Sequence, residues 1–202
     1  ESPGPQVGKL VSKLNFTARI LYLIYGIMTI VQIVLLLLGG MPLFDSLCHA
    51  FGTAGTGGFG IKNDSISSYS PYLQTVITVF MFLFGVNFTF FYYFIIKSYV
   101  KAFTMEEVRW YYAIYFGAVA IITVKILDMY DGFFTALRHA AFQVASIMTT
   151  TGYATTNYDL WPSVTKMMIV SIMILGACAG STGGGIKVSR LIIALKNSFC
   201  EL

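Results

Sequence analysis

Charge is the scarcest commodity in this chain: only 11% of its 202 residues are Asp, Glu, Lys or Arg, against 56% hydrophobic residues. Soluble domains average roughly 25% charged and 45–50% apolar residues. Too few polar side chains remain to clothe a soluble core of this size, which excludes an ordinary globular domain. Cysteine is also sparse. Cys48, Cys178 and Cys200 have no metal-ligand spacing, and an odd count argues against a disulfide framework. They read as small apolar packers. No apolar segment carries a Ser/His, Asp/Asp or His/Glu arrangement, so intramembrane catalysis has no candidate residues and the chain reads as a non-enzyme. His49 and His139 lack partner spacing for a metal and read as core or interfacial residues. The net charge of +4 is not gathered on one face, which excludes a nucleic-acid-binding surface.

What the chain does have is long apolar runs. Four segments are long enough to cross roughly 30 Å of hydrocarbon: about Phe16–Leu38, Tyr72–Ile96, Trp110–Leu127, and a fourth that starts near Ser163. The first is too long for a signal-peptide core and has no small-residue cleavage site after it, while Glu1–Pro5 reads as linker rather than fold. Nine of the thirteen basic residues (Lys9, Lys13, Arg19, Lys97, Lys101, Arg109, Lys187, Arg190, Lys196) flank one set of helix ends. Asp45, Asp64, Asp128, Asp131 and Asp159 lie in segments on the other side. The positive-inside rule then makes the termini and the 97–109 connection cytoplasmic. Outward carboxylates would raise the local cation concentration.

The two outward connections are too long for turns. Met41–Phe51 and Phe133–Ser146 are apolar enough to enter a bilayer but too short to cross it, and each leads into a glycine-centred stretch. These stretches are Thr56-Gly57-Gly58-Phe59-Gly60 and Thr150-Thr151-Gly152-Tyr153-Ala154. Aligned on Gly58 and Gly152, the halves repeat without gaps at an offset of about ninety residues, Gly52 meeting Ser146, Thr56 meeting Thr150 and Phe59 meeting Tyr153. Pro71 and Pro162 open the following spans. The expected fold is an all-α membrane protein of two tandem helix–pore-loop–helix units. Residues 1–15 form a cytoplasmic segment, 16–101 the first unit and 102–202 the second.

Non-helical backbone at membrane depth must line water or protein. The Thr-x-Gly-Tyr pattern resembles the K⁺-channel filter, whose carbonyls replace the ion's hydration shell. Gly58 and Gly152 can take positive φ and aim neighbouring carbonyls at one axis, and Thr56 and Thr150 add hydroxyl oxygens. No charged side chain lies between Phe51 and Gly60 or between Phe142 and Ala154. The alternative is a pair of Gly/Thr turns packed between helices. A second break, Gly176-Ala177-Cys178-Ala179-Gly180-Ser181-Thr182-Gly183-Gly184-Gly185, interrupts the fourth segment. Each glycine costs a helix interior about 1 kcal/mol relative to alanine, so the triplet should unwind it. A flexible plug below the filter is one reading; a tight crossing of small residues is the other.

The stretches TTTGYATTNYDLWP (149–162) and GACAGSTGGGIKVSR (176–190) resemble the Trk/Ktr potassium uptake proteins, and MPLFDSLCHAFGTAGTGGFG (41–60) resembles that family's second pore unit. The resemblance implies K⁺ as the transported ion, with Thr56, Gly57, Gly58, Phe59, Thr150, Thr151, Gly152 and Tyr153 as selectivity-filter residues. It implies Gly176, Gly180, Ser181, Thr182, Gly183, Gly184 and Gly185 as the gating loop. It further implies a multi-pass protein of the bacterial inner membrane, a homodimer of the full transporter, a cytosolic nucleotide-binding regulatory subunit and no cofactor in this chain. It implies four pore units in one polypeptide around a pseudo-fourfold pore, of which two units are half. Two are present here, so the chain is expected to be a central fragment completed by the remaining units. The alternatives are a half-pore completed by a second copy, or a non-conducting assembly fragment.

Overall fold

The structure, a computed structural model, describes residues 14–200, and every described element is helical. The expected cytoplasmic segment 1–15 falls almost wholly outside the described residues. The elements are α1 (Leu14–Leu38), α2 (Leu43–Ala54), α3 (Pro71–Phe84), α4 (Phe88–Ile95), α5 (Tyr99–Phe103), α6 (Glu106–Ile126), α7 (Phe133–Met148), α8 (Ser163–Ile174) and α9 (Val188–Cys200).

Helix α1 crosses the molecule as a single apolar rod, with Ala18–Leu38 long and apolar enough to span a membrane. Its outer face is a stripe of Leu23, Ile27, Ile30, Val34 and Leu38, spaced three or four apart, while Ile24, Thr29, Gln32 and Leu36 turn inward. Apolar residues therefore face outward and polar ones inward, as hydrocarbon solvent demands. Gly39 and Gly40 end the helix, with Gly40 at φ 82° and the Met41 N–H donating back to the Leu36 carbonyl.

Helices α2 and α7 are the two half-helices. Twelve residues give α2 a length of roughly 18 Å at 1.5 Å per residue, too short to cross. It lies against α1 and α3, whereas α7 is wedged between α3, α6 and α8. Small residues make those approaches possible: Ala50, Ala54, Ala136, Ala140 and Ala145 are all completely buried. Phe142, Met148, Ile77, Met81 and Ile122 fill the space between them.

The second span departs from the expected continuous helix over Tyr72–Ile96. It breaks at Gly85–Asn87, and α3 and α4 meet at 92°. Three local features make the break. The Tyr111 hydroxyl donates to the Phe82 carbonyl at 3.0 Å. A β-carbon at Gly85 would overlap the Tyr111 oxygen and lie 2.8 Å from the Thr149 methyl, so only glycine fits there. Asn87 then restarts the chain as an N-cap, its Oδ1 accepting from the Thr89 N–H at 2.9 Å. The aromatic run 88–94 is divided: Phe88 and Phe90 are buried and Phe94 is exposed.

The fourth span is also in two pieces, as the glycine triplet implies. Unwinding covers Leu175–Lys187, slightly more than the expected 176–185, and helix resumes at Val188. Pro162 stands one residue before α8 as its N-cap, not in its first turn. Pro71 does occupy the first position of α3.

Candidate functional site

The two half-helices end in the same way. The Gly55 N–H donates to the Phe51 carbonyl at 2.8 Å and the Thr149 N–H to Ala145 at 3.0 Å. Thr56 donates to Thr53 at 3.2 Å, and Thr150 to Ile147 at 3.1 Å. Gly57 donates to Gly52 at 2.7 Å, and Thr151 to Ser146 at 2.8 Å. Both threonines carry positive φ, 51° at Thr56 and 60° at Thr150, followed two residues later by Gly58 at 67° and Gly152 at 92°. A β-branched residue in that region costs about 1–3 kcal/mol, and here the strain recurs at matched positions. The sequence repeat is thus a repeat of backbone geometry.

The strained turn leaves carbonyl groups free. Among the described residues, no donor meets the carbonyl oxygens of Thr56, Gly57, Gly58, Thr150, Thr151 or Gly152. The C-terminal, partly negative end of each half-helix points toward this set. The strands abut: a β-carbon at Gly58 would overlap the Thr151 carbonyl oxygen and lie 3.1 Å from the Gly152 carbonyl carbon. On its other side Gly152 looks into open space.

The equivalent aromatics differ. Tyr153 is 1% exposed and is inserted behind the first strand, its hydroxyl donating to the His49 carbonyl at 3.4 Å and sitting where Gly52 has no side chain. Phe59 is 87% exposed. His49 is completely buried, its Nδ1 bonded to the Asp45 carbonyl at 2.7 Å and its ring against Tyr69 and Tyr153, a packing role rather than a metal site. Tyr69 reaches over to donate to Asp45 Oδ2 at 2.9 Å, and burial together with that carboxylate pushes its phenol well above the usual range. The loop before α3 clasps the second strand, the Ile66 N–H donating to Ala154 at 3.0 Å and the Ala154 N–H to Ser65 Oγ at 3.2 Å.

The unwound segment lies directly against both strands. The Thr56 hydroxyl donates to the Thr182 carbonyl at 3.3 Å, and the Gly184 N–H to Thr150 Oγ1 at 2.8 Å. The Lys187 ammonium donates to the Gly183 carbonyl. A parallel bridge between Leu175 and Ile186, with the Gly176 N–H on the Ile186 carbonyl at 2.8 Å, closes the neck of the segment. Gly176 permits that neck, since a β-carbon there would overlap the Gly184 carbonyl. All the residues picked from sequence as filter and loop therefore fall in one region, except the Phe59 ring.

Three residues that sequence reading passed over belong to the same region. Ser146 Oγ donates to the Tyr153 carbonyl at 2.6 Å and accepts from the Gly152 N–H at 3.1 Å, bracing the strained turn. Its alignment partner Gly52 has no such group, and that mismatch was the available signal. Ser146→Ala is expected to leave the Tyr153 carbonyl without its donor and the Gly152 N–H with only the longer 3.3 Å bond to the Ser146 carbonyl, lowering thermal stability by about 1–3 kcal/mol. A melting curve of the purified protein checks it. Gly85 and Glu107 are the others. The break in the second span exposes carbonyls at Phe84 and Gly85, and the unwound segment fills them: the Cys178 N–H donates to Gly85 at 3.0 Å and the Thr182 N–H to Phe84 at 3.3 Å. Asn87 Nδ2 reaches Glu107 Oε2 at 3.4 Å, the cross-helix bond expected of an intramembrane asparagine.

Residues 4–202 match the family described as TrkH, cation transport protein. The chain belongs to the TrkH family. It is 33% identical over 207 residues to the Trk system potassium uptake protein TrkH of Salmonella typhimurium, covering all of this chain and 43% of that protein. It is 35% identical to the potassium uptake protein TrkG of Escherichia coli, covering 42% of it. The crystal structure of the potassium transporter TrkH from Vibrio parahaemolyticus superposes with a TM-score of 0.87 at 30% identity, over 96% of this chain and 43% of that one. The chain thus spans less than half the length of the relatives it matches, with the all-helical membrane fold of a TrkH protein.

Proposed function

We propose that this chain supplies two of the four quadrants of a potassium-selective pathway in a bacterial inner-membrane transporter, with 56–59 and 150–153 as filter strands. The observation that carries the reading is the set of unpartnered carbonyls on two abutting, identically strained strands. Backbone carbonyls at membrane depth that lack donors need water or an ion to replace the missing hydrogen bond. A dehydrated monovalent cation does so. The absence of charged side chains in both stretches suits an ion that must leave as readily as it enters. Strain at Thr56 and Thr150 holds the oxygens in place, so the ion need not organise them.

The unwound segment 176–185 serves as the gate. It is bonded to both filter threonines in this conformation, on the side from which α9 departs, and obstructs the way out of the filter. Two strands offer half a ring, so conduction needs the remaining pore units of the transporter. K⁺ is the cargo and no resident cofactor is needed. Gly152→Ser in the intact transporter tests the filter assignment. With φ at 92°, a side chain strains the turn and projects into the open space beside the strand. The K⁺/Na⁺ uptake ratio is expected to fall several-fold. An unchanged ratio at normal expression refutes the assignment for this strand.

A further inference from the structure

Glu107 is the one carboxylate among the described residues that bonds both to the break in the second span and to the unwound segment, and no feature of its sequence context marks it out. It stands in the first turn of α6, half-buried. Its Oε1 accepts the Ala179 N–H at 2.6 Å and the Ser189 N–H at 3.3 Å, while Oε2 accepts the Asn87 amide at 3.4 Å. Ala179 lies within the unwound segment, and Ser189 in the first turn of α9, whose free N–H groups take a carboxylate well. Asn87 sits at the break between α3 and α4. The same break is stitched to the segment directly, the Phe88 N–H donating to the Gly180 carbonyl at 3.1 Å beside the Cys178–Gly85 and Thr182–Phe84 bonds.

We infer that Glu107 is the latch of the gate: its carboxylate ties the unwound segment 176–185 to the start of α9 and to the break in the second span, and so holds the segment closed beneath the filter strands. The inference rests on the gate reading above. Glu107 touches no ion and is a positioning residue, acting through the backbone it binds. Hydrogen bonds to an ionised carboxylate are roughly twice as strong as neutral ones, so a single side chain sets much of the balance between closed and open. Because Asn87 shares the carboxylate, the break at 85–87 and the segment are released together. A kink in the first unit and a loop in the second are then one device.

The test measures K⁺ flux through the intact transporter in liposomes, before and after activation, for Glu107→Ala, Glu107→Gln and a deletion of Gly183–Gly185. Glu107→Gln keeps the size of the side chain and one carbonyl acceptor, so it carries the test if Glu107→Ala fails to fold. Resting flux is expected to rise about tenfold in Glu107→Ala and by less in Glu107→Gln. Activated flux and the K⁺/Na⁺ ratio should stay near wild type, which a merely structural lesion would not preserve. Adding Asn87→Ala to Glu107→Ala should bring no further rise. Unchanged or lowered resting flux in Glu107→Gln, with a deletion that does raise it, overturns the latch and leaves the gate standing. A deletion without effect overturns the gate reading, and the latch with it.

Discussion

A transporter carrying Gly58→Ala is expected to reach the membrane and take up almost no K⁺, the largest loss of any single substitution in the filter region. Two causes act together. Gly58 has φ 67°, where a β-carbon costs about 1–2 kcal/mol. The added methyl would also overlap the Thr151 carbonyl oxygen and lie 2.8 Å from its carbon. Those are backbone atoms, so no side-chain rotation relieves the clash and the two strands must separate. Gly152→Ala bears only the first cost, because nothing lies within 4 Å of the position its methyl would take. Radiolabelled K⁺ uptake should therefore rank Gly58→Ala well below Gly152→Ala. The reverse ranking would mean that the strands do not abut in the working protein.

Removing Gly183–Gly185 is expected to have the opposite sign, raising resting K⁺ flux severalfold while the K⁺/Na⁺ ratio stays unchanged. These residues make the contacts that seat the segment under the filter: Gly184 on Thr150 Oγ1 and Gly183 against the Thr149 backbone. Replacing all three by alanine is a harsher change than their size suggests. Gly183 would press on the Ala177 methyl, Gly185 would approach the Gly176 α-carbon at 2.8 Å with φ at 73°, and Gly184 would meet the Thr150 hydroxyl at 3.0 Å. The alanine protein cannot keep this seat, so its resting flux must also differ from wild type. Wild-type flux in the deletion would reduce the segment to packing.

Much of this was legible in the sequence because it rests on local backbone requirements. Gly58 and Gly152 at one spacing announced positive φ at those glycines, though not at Thr56 and Thr150, and the Gly183–Gly185 triplet announced the unwinding. The break at Gly85–Asn87 was not legible as a break, because the run from Pro71 to Ile96 satisfies every length and hydropathy test for one span. What bends it is distant: the Tyr111 hydroxyl on Phe82, and the segment's N–H groups on Phe84 and Gly85. Asn87 followed by an apolar stretch was the one local hint of a fresh N-cap. The unlike fates of Phe59 and Tyr153 were hidden for the same reason. Their surroundings come from the neighbouring unit, and only Tyr153 has such a neighbour in this chain.

In the gate reading proposed above, the bridged neck of the unwound segment sets the energy scale on which the pathway is controlled. With Leu175 paired to Ile186 and Gly176 bonded across, the interior of the segment can swing while α8 and α9 keep their places. Chain closure is already achieved at the neck, so release involves the contacts the interior makes with Thr56, Thr150, Phe84, Gly85, Phe88 and Glu107. Each such bond contributes about 0.5–1.5 kcal/mol net, and several are weak enough to be traded for water. The closed state is then held by a few kcal/mol, comparable to the ~1–3 kcal/mol that binding at a remote site ordinarily transmits. In that reading, releasing the segment moves no whole helix against lipid, and a small displacement at the base of α6 or α9 suffices.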